Sequence, residues 1–137
     1  MIFGIGADIV RVSRMDEALL RHGERFARKI LAEEEWQGYL ANARPAFYLA
    51  KRFAAKEAMV KALGTGFRHG FGLRHIAVYH DRLGKPGLRF APDIQQRLSE
   101  MGAGEALLTL SDEEDLALAF VVLLRAYTSV EPRNRLC

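Results

Sequence analysis

Residues 48–66 have the sequence YLAKRFAAKEAMVKALGTG, which is the most informative stretch of the chain. Alanine, leucine, lysine, methionine and glutamate dominate it, so its helix propensity is high, and Gly64 stands where a C-terminal glycine cap belongs. Glu57 lies at the edge of the predicted apolar stripe rather than opposite it. That stripe consists of Leu49, Phe53 and Val60. The stretch therefore predicts a long helix with a carboxylate beside its buried face.

The carboxylate of Glu57 needs a cation, because a charged group beside an apolar stripe is costly without a partner. Lys61 follows one helical turn later, and a salt bridge between the two is one interpretation. In the other, Glu57 and Asp8 together bind a hard divalent cation such as Mg²⁺, which takes one or two carboxylates and phosphate oxygens. Lys61 would then lie beside one of those phosphates.

The N-terminal segment MIFGIGADIV, residues 1–10, predicts a strand with two unequal faces. The apolar face is expected to point into the core; it consists of Phe3, Ile5, Ala7 and Ile9. The other face carries two glycines directly before Asp8, which leaves room for a backbone or a ligand near that carboxylate. Asp8 is either a cap for the next element or a functional carboxylate. A dinucleotide-binding fingerprint is excluded, because Ile9 stands where its third glycine belongs.

A helix is predicted to begin after Ser13, which with Asp16 resembles a capping box, and to run to about Leu31. Its arginines form a stripe beside an apolar edge. This arginine stripe consists of Arg14, Arg21, Arg25 and Arg28. It is either a solvated face or a docking surface for an acidic partner, since four neighbouring guanidinium groups have few local carboxylates to offset them.

The remaining segments mix helices and strands without a regular βαβ repeat, which predicts an α+β fold. A second short helix is expected near Glu33, two strands flank a turn at residues 81–87, and a short helix follows Pro92. The last two strands, at 107–110 and 116–124, flank the acidic turn SDEED. The segment GTGFRHGFG, residues 64–72, is either a flexible loop or a phosphate cradle without the ending of a P-loop.

Composition limits the class of protein. The chain has 137 residues, of which 50% are hydrophobic and 27% charged, as is typical of one globular domain. Its longest apolar run has nine residues, well short of the ~20 that a membrane-spanning helix needs. No secretory leader is recognisable and the one cysteine, Cys137, has no partner in the chain, so a cytoplasmic location is expected. Histidine spacing argues against zinc, and no nucleophile motif is found.

Charge is segregated along the chain. Residues 51–97 contain ten Lys or Arg against three Asp or Glu, whereas residues 98–131 contain one against seven. A basic section of this kind suits a polyanion, a phosphate ester or an acidic protein. The acidic turn, the single tryptophan and the lack of a reader motif argue against a nucleic acid.

Two motifs carry a family resemblance: GIGADIV at residues 4–10 and RFAAKEAMVKALGTG at residues 52–66. Through them the chain resembles the holo-acyl-carrier-protein synthase family of 4′-phosphopantetheinyl transferases over nearly its whole length. The resemblance implies an antiparallel sheet packed against a long helix, and a homotrimer with active sites between subunits. It implies Mg²⁺-dependent transfer of 4′-phosphopantetheine from coenzyme A to a serine of apo-acyl carrier protein, with release of adenosine 3′,5′-bisphosphate. The transferase domain is expected at residues 1–126, followed by a disordered tail at 127–137.

The same resemblance implies roles for particular residues. Asp8 and Glu57 match the metal-ligand positions, and Lys61 matches the lysine that contacts the phosphates. The proton of the attacking serine is expected to pass to Glu57 or to a metal-bound water. The arginine stripe is expected to bind the acidic carrier protein. Further contacts with coenzyme A are expected from Arg52, Lys56, Gly64, Lys85 and Pro86.

One position departs from the family. Many members have a histidine after the serine in the turn before the last strand, whereas this chain has Asp112 after Ser111. The resemblance therefore assigns no role to Asp112, and the departure is expected to affect the affinity for coenzyme A. The alternative to an enzyme is a catalytically silent module that binds coenzyme A or acyl carrier protein, which would not need the pair of Asp8 and Glu57.

Overall fold

The structure is a computed structural model that describes residues 1–67 and 70–127. It confirms the α+β fold class, including the second short helix and the hairpin of two strands. The hairpin turn is shorter than the predicted 81–87, because β3 begins at Pro86 and leaves residues 81–85 between the strands. The helices are α1 (Val12–His22), α2 (Glu24–Ile30), α3 (Trp36–Ala41), α4 (Pro45–Leu63) and α5 (Pro92–Glu100). The strands are β1 (Ile2–Arg11), β2 (Ile76–His80), β3 (Pro86–Phe90), β4 (Ala103–Glu113) and β5 (Leu116–Arg125). The tail expected to be disordered lies, from residue 128 onward, outside the described residues.

Strands β1, β5 and β4 form an antiparallel sheet in that order, and β2 pairs with β3 in a separate hairpin. The N-terminal strand therefore lies beside the C-terminal strand, with Ala7 opposite Phe120. In the described part of the chain, no helix is both long and apolar enough to cross a membrane.

Helix α4 is the centre of the fold and packs against β1 and β5. Its buried residues are spread around most of its circumference rather than along the single predicted stripe. A helix buried on nearly all sides needs small side chains where it meets a sheet, because small residues allow the backbones to approach closely. The small residues on α4 include Ala54, Ala55, Ala58 and Ala62, all at most 4% exposed.

The expected orientation of β1 is wrong. Its glycine face points towards α4, whereas Ile5 and Ile9 on the other face are 59% and 58% exposed. The neighbouring strands continue this exposed apolar surface, because Ile5, Ala7 and Ile9 pair across β5 with Val122, Phe120 and Leu118. Alternation along a strand separates two faces but does not say which one the helix covers. We call this surface the outer sheet face; it consists of Ile5, Ala7, Ile9, Leu107, Leu116, Leu118, Phe120 and Val122.

The long helix expected between Ser13 and Leu31 is instead two helices. Gly23 interrupts it with φ 60° and ψ −144°, a conformation outside the helical region. Glycine adopts a positive φ at little cost, so the chain turns there and α2 begins at Glu24. The arginine stripe was predicted for one continuous helix, so its four residues are divided between α1 and α2.

The N-terminus of α1 is capped by a distant residue and not by the expected capping box. Ser13 lies inside the first turn, where its amide and hydroxyl groups both donate to the Asp115 carboxylate, at 2.9 and 2.7 Å. Asp8 is therefore not the cap of this helix. The acidic turn is also shorter than predicted, because β4 continues to Glu113 and leaves only residues 114–115 between the strands.

Candidate active site

The close contact between β1 and α4 positions the predicted site. A Cβ atom at Gly6 would lie 1.9 Å from the carbonyl oxygen of Ala58, and one at Gly4 would lie 2.0 Å from that of Ala62. Real Cβ atoms do not come so close, so only glycine permits this packing. The strand thereby brings Asp8 to the part of α4 that carries Glu57 and Lys61.

Lys61 pairs with Asp8 and not with Glu57. Its Nζ donates to Oδ1 of Asp8 and to the carbonyl oxygen of Ala7, both at 3.0 Å. The salt bridge between Glu57 and Lys61, the first interpretation from spacing, is not among the ion pairs of the described residues. The Asp8 side chain is 17% exposed, whereas that of Lys61 is 55% exposed. The ammonium group can therefore reach a ligand while it contacts Asp8.

Glu57 lies in the same groove as Asp8. The groove has a volume of about 320 Å³, and its polar side chains are Asp8, Arg14 and Glu57. Burial raises the pKa of Glu57, and the negative charge of Asp8 raises it further. Two carboxylates that interact in this way would both be stabilised by a divalent cation between them.

The donor set fits Mg²⁺. This ion prefers oxygen ligands and is usually bound by one or two carboxylates together with substrate phosphates and water. The described residues contain no cluster of three or more His, Cys, Asp or Glu that could hold a metal ion by themselves. Asp8 and Glu57 could therefore supply two oxygen ligands to such an ion, and a phosphate-bearing ligand would have to supply others.

The structure argues against the expected contact between Lys56 and coenzyme A. Lys56 is fully buried, and its Nζ donates to Oε1 of Glu35 at 2.5 Å and to the carbonyl oxygen of Ile30 at 2.6 Å. Burial lowers the pKa of Lys56, and the charge of Glu35 offsets part of that effect. Lys56 therefore neutralises a buried carboxylate, and an ammonium group in the core cannot meet a nucleotide.

Arg52 shares that carboxylate but also reaches a cavity. Its Nε lies 3.1 Å from Oε2 of Glu35, and its guanidinium group stacks on the ring of Tyr48 at 3.5 Å. The cavity, of about 390 Å³, is lined by Arg52 and by further polar side chains. These are Asn42, Arg44, Tyr48, Lys51, His80 and Asp112. We call it the basic cavity.

The sequence did not identify the basic cavity as a site, although the excess of Lys and Arg that begins at Lys51 gave a signal. His80 belongs to a different segment, and only folding brings it beside α4. Burial lowers the pKa of His80, and the charges of Arg52 and Lys51 lower it further. The cations that line the cavity thus contribute to the shift, in addition to burial.

The other expected coenzyme A contacts are dispersed. Lys85 and Pro86 line a small cleft of about 130 Å³ between the β2–β3 hairpin and β4. Gly64 ends α4 in the left-handed conformation, as predicted for a cap. The proposed phosphate cradle at 64–72 contains Arg68 and His69, which lie outside the described residues.

The arginine stripe is divided by the break at Gly23. Arg14 and Arg21 lie on α1, two turns apart on one face, and Arg14 also lines the groove of Asp8. Arg25 and Arg28 lie on α2, where the guanidinium group of Arg28 stacks on Trp36 at 3.9 Å. All four side chains remain exposed.

The chain is similar to one known family of proteins. A family model described as the 4′-phosphopantetheinyl transferase superfamily matches residues 4–121. The chain belongs to this superfamily. The match includes Asp8, Glu57 and Lys61, and it covers β1 from Gly4 onward and the whole of α4.

Individual members of this superfamily are also similar to this chain in sequence. A holo-[acyl-carrier-protein] synthase of Nitrosospira multiformis is 51% identical over 123 residues, covering 90% of this chain and 98% of the relative. The enzyme of the same name from Halorhodospira halophila is 52% identical over 124 residues, with the same coverage. The resemblance to the holo-acyl-carrier-protein synthase family is therefore confirmed.

Solved structures give the same result. The crystal structure of the synthase from Neisseria meningitidis has a TM-score of 0.88 at 46% identity, and covers 91% of this chain and 100% of that one. A synthase from Bacillus anthracis in complex with coenzyme A (3′,5′-ADP) has a TM-score of 0.76 at 33% identity, covering 92% and 99%. The fold built around α4 is thus that of the family.

Proposed function

We propose that this protein transfers the 4′-phosphopantetheine group of coenzyme A to a serine of apo-acyl carrier protein in a Mg²⁺-dependent reaction. The serine hydroxyl gives its proton to the carboxylate of Glu57 and its oxygen forms a bond to the β-phosphorus. The bond from that phosphorus to the bridging oxygen breaks, and adenosine 3′,5′-bisphosphate leaves with that oxygen. The observation that supports this proposal best is the groove that joins Asp8 and Glu57 beside the ammonium group of Lys61.

Each of the three residues has a chemical role. Asp8 and Glu57 hold the metal ion. When bound, Mg²⁺ supplies electrostatic stabilisation for the charge that develops on the transferred phosphoryl group and the leaving group. The half-exposed ammonium group of Lys61 donates to a phosphate oxygen and neutralises further charge. The carrier protein supplies the attacking hydroxyl, so the chain needs no nucleophile of its own.

The basic cavity is the proposed site for a phosphate group at the nucleotide end of coenzyme A. Arg44, Lys51 and Arg52 supply three cations there, which suits a phosphate monoester. Arg52 remains a proposed contact because it lines this cavity, whereas Lys56 does not. Lys85 and Pro86, in their cleft beside β4, remain proposed contacts for the rest of the nucleotide, and Gly64 remains one at the end of α4.

The acidic carrier protein is proposed to dock on α1 and α2. Arg14, Arg21 and Arg25 present exposed guanidinium groups on these helices, and such groups form strong bidentate pairs with carboxylates. Arg14 lies both on this surface and in the groove of Asp8. A carrier bound there would have its serine near the metal ligands.

A homotrimer is proposed, with the outer sheet face as the contact between subunits. Phe120, Leu118 and Leu116 are each 37% exposed, and the isoleucines of β1 are more exposed still. Monomeric proteins rarely leave an apolar surface of this size in water. We also propose that the transferase unit ends near residue 126 and acts in the cytoplasm, where a free thiol such as Cys137 stays reduced.

Intact-mass spectrometry of apo-acyl carrier protein, incubated with this protein, coenzyme A and Mg²⁺, tests the reaction. The expected result is a mass gain of one phosphopantetheine, which EDTA, Asp8→Ala and Glu57→Ala abolish. Glu100→Gln is the matched control, because it removes an exposed carboxylate that lines neither the groove nor the basic cavity. A folded protein that binds coenzyme A and carrier without any mass gain would instead be the silent module.

A further inference from the structure

The basic cavity contains one feature that a phosphate site would not be expected to have. Among its lining residues are three cations and His80, yet Asp112 of β4 places a carboxylate in the same space. A carboxylate beside a bound phosphate repels it and therefore lowers the affinity of the site for phosphate.

The carboxylate of Asp112 is paired with Lys51. Oδ2 of Asp112 lies 2.7 Å from Nζ of Lys51, and the two side chains are 41% and 35% exposed. The hydrogen bond and the charge of Lys51 lower the pKa of Asp112, and the charge of Arg44 contributes in the same direction. Asp112 is therefore ionised and already uses one of the cations of the cavity.

The other two cations of the cavity have different partners. The guanidinium group of Arg52 is fixed between Glu35 and Tyr48, and that of Arg44 stacks on the ring of Phe47 at 3.8 Å. An aromatic face leaves the edge donors of a guanidinium free. Lys51 differs from both arginines, because its charge is offset by a carboxylate that is itself partly exposed to solvent.

We infer that Asp112 is an internal counter-ion that occupies Lys51 and weakens the binding of phosphate groups in the basic cavity. It is not a catalytic residue; it sets the affinity for the nucleotide end of coenzyme A. This inference rests on the proposed function, in which a phosphate of coenzyme A is the ligand of the cavity. An entering phosphate must displace the carboxylate from Lys51 and then tolerate its charge nearby.

The expected effect is modest, because half-exposed ion pairs are weak and are screened by salt. Asp112→Asn keeps the shape of the side chain and removes its charge. From the usual strength of such pairs, we expect this variant to bind coenzyme A about two- to fivefold more tightly. The gain should shrink at high salt.

Isothermal titration calorimetry with wild type, Asp112→Asn and the control Glu100→Gln tests the inference. The probes are coenzyme A, inorganic phosphate and pantetheine, which has no phosphate. Tighter binding of the two phosphate probes by Asp112→Asn alone, with pantetheine unchanged, would support the counter-ion role. Asp112→Ser, which also removes the charge, should likewise bind the two phosphate probes more tightly than wild type.

Equal or weaker binding of inorganic phosphate by Asp112→Asn would overturn the inference, as would an equal gain for pantetheine, which would indicate a structural effect. The proposed function fails separately, if the wild type does not bind coenzyme A at all. Inorganic phosphate measures the effect of Asp112 on anion affinity in either case.

Discussion

Gly6 of β1 packs directly against the carbonyl oxygen of Ala58 in α4, so closely that a Cβ atom at position 6 would lie 1.9 Å from it. This contact fixes the distance between strand and helix. Asp8 lies two residues beyond Gly6, and Glu57 directly precedes Ala58. The proposed metal ligands are therefore brought together by the absence of a side chain.

Gly6→Ala is expected to destabilise the protein and to remove metal binding. The added methyl group must move backbone, and overpacking of this kind costs about 3 kcal/mol in the free energy of unfolding. Chemical denaturation measures the loss in the free energy of unfolding. Mg²⁺ titration of the folded fraction measures the loss of Mg²⁺ affinity that we expect when Asp8 and Glu57 are moved apart. A Gly6→Ala variant whose free energy of unfolding lies within about 0.5 kcal/mol of the wild-type value would show that the contact is not tight.

Lys61→Ala is expected to lower kcat at saturating coenzyme A by about 10- to 100-fold, or roughly 1.4 to 2.8 kcal/mol of transition-state stabilisation. The reason is the loss of a cation that contacts Asp8 at 3.0 Å and remains accessible to a phosphate. Steady-state kinetics of carrier modification gives the value. Arg82→Ala, at an exposed turn, removes a cation elsewhere and serves as the control. Unchanged turnover in Lys61→Ala would contradict the role.

Lys56→Met is expected to cost about 3 kcal/mol in the free energy of unfolding, because it leaves the buried carboxylate of Glu35 without its closest cation. The double variant Glu35→Gln, Lys56→Met should recover part of that loss, since it also removes the carboxylate that the single variant leaves with Arg52 as its remaining cation. Urea denaturation of the two variants compares them. A Lys56→Met protein as stable as wild type would mean that Arg52 alone neutralises Glu35.

His80 is expected to titrate below the ordinary pKa of histidine, because burial and the charges of Arg52 and Lys51 oppose protonation. The unfolded chain then takes up a proton at a higher pH than the folded protein does. The contribution of His80 to stability is present above the ordinary histidine pKa and is lost as the pH falls through the lower native value. NMR titration of the imidazole measures the shift, and Lys51→Met should reduce it. A pKa at or above the ordinary value would contradict the positive potential of the cavity.

Phe120→Glu is expected to convert the protein to monomers, because it places a charge in the centre of the outer sheet face. Phe120 pairs with both Ala7 and Thr109 in the sheet, so its side chain lies in the middle of that face. Light scattering coupled to size exclusion measures the mass. Leu83→Glu, at a residue that is 95% exposed in a turn, is the control and should leave the assembly unchanged. A wild-type monomer would refute the trimer.

The helix α4 was predictable because its signal is local: a run of strong helix formers favours a helix whatever surrounds it. The sequence also indicated that Glu57 needs a cation. It did not indicate that Lys61 would pair with Asp8 instead, because these two residues are 53 positions apart and only the packing of β1 on α4 brings them together. The break at Gly23 was less predictable, since a single glycine is tolerated within many helices. The cap from Asp115 could not be predicted at all, because it joins residues 102 positions apart.

From the sequence alone follow the α+β class, the central helix and the choice of Asp8, Glu57 and Lys61 as candidate site residues. The folded structure was needed to show that the glycine face of β1 meets the helix, that Lys56 is buried with Glu35, and that Asp112 pairs with Lys51. One cause underlies all three. Alternation and charge specify what a side chain can do, whereas its burial and its partner depend on backbone distances that only the packing of distant segments fixes.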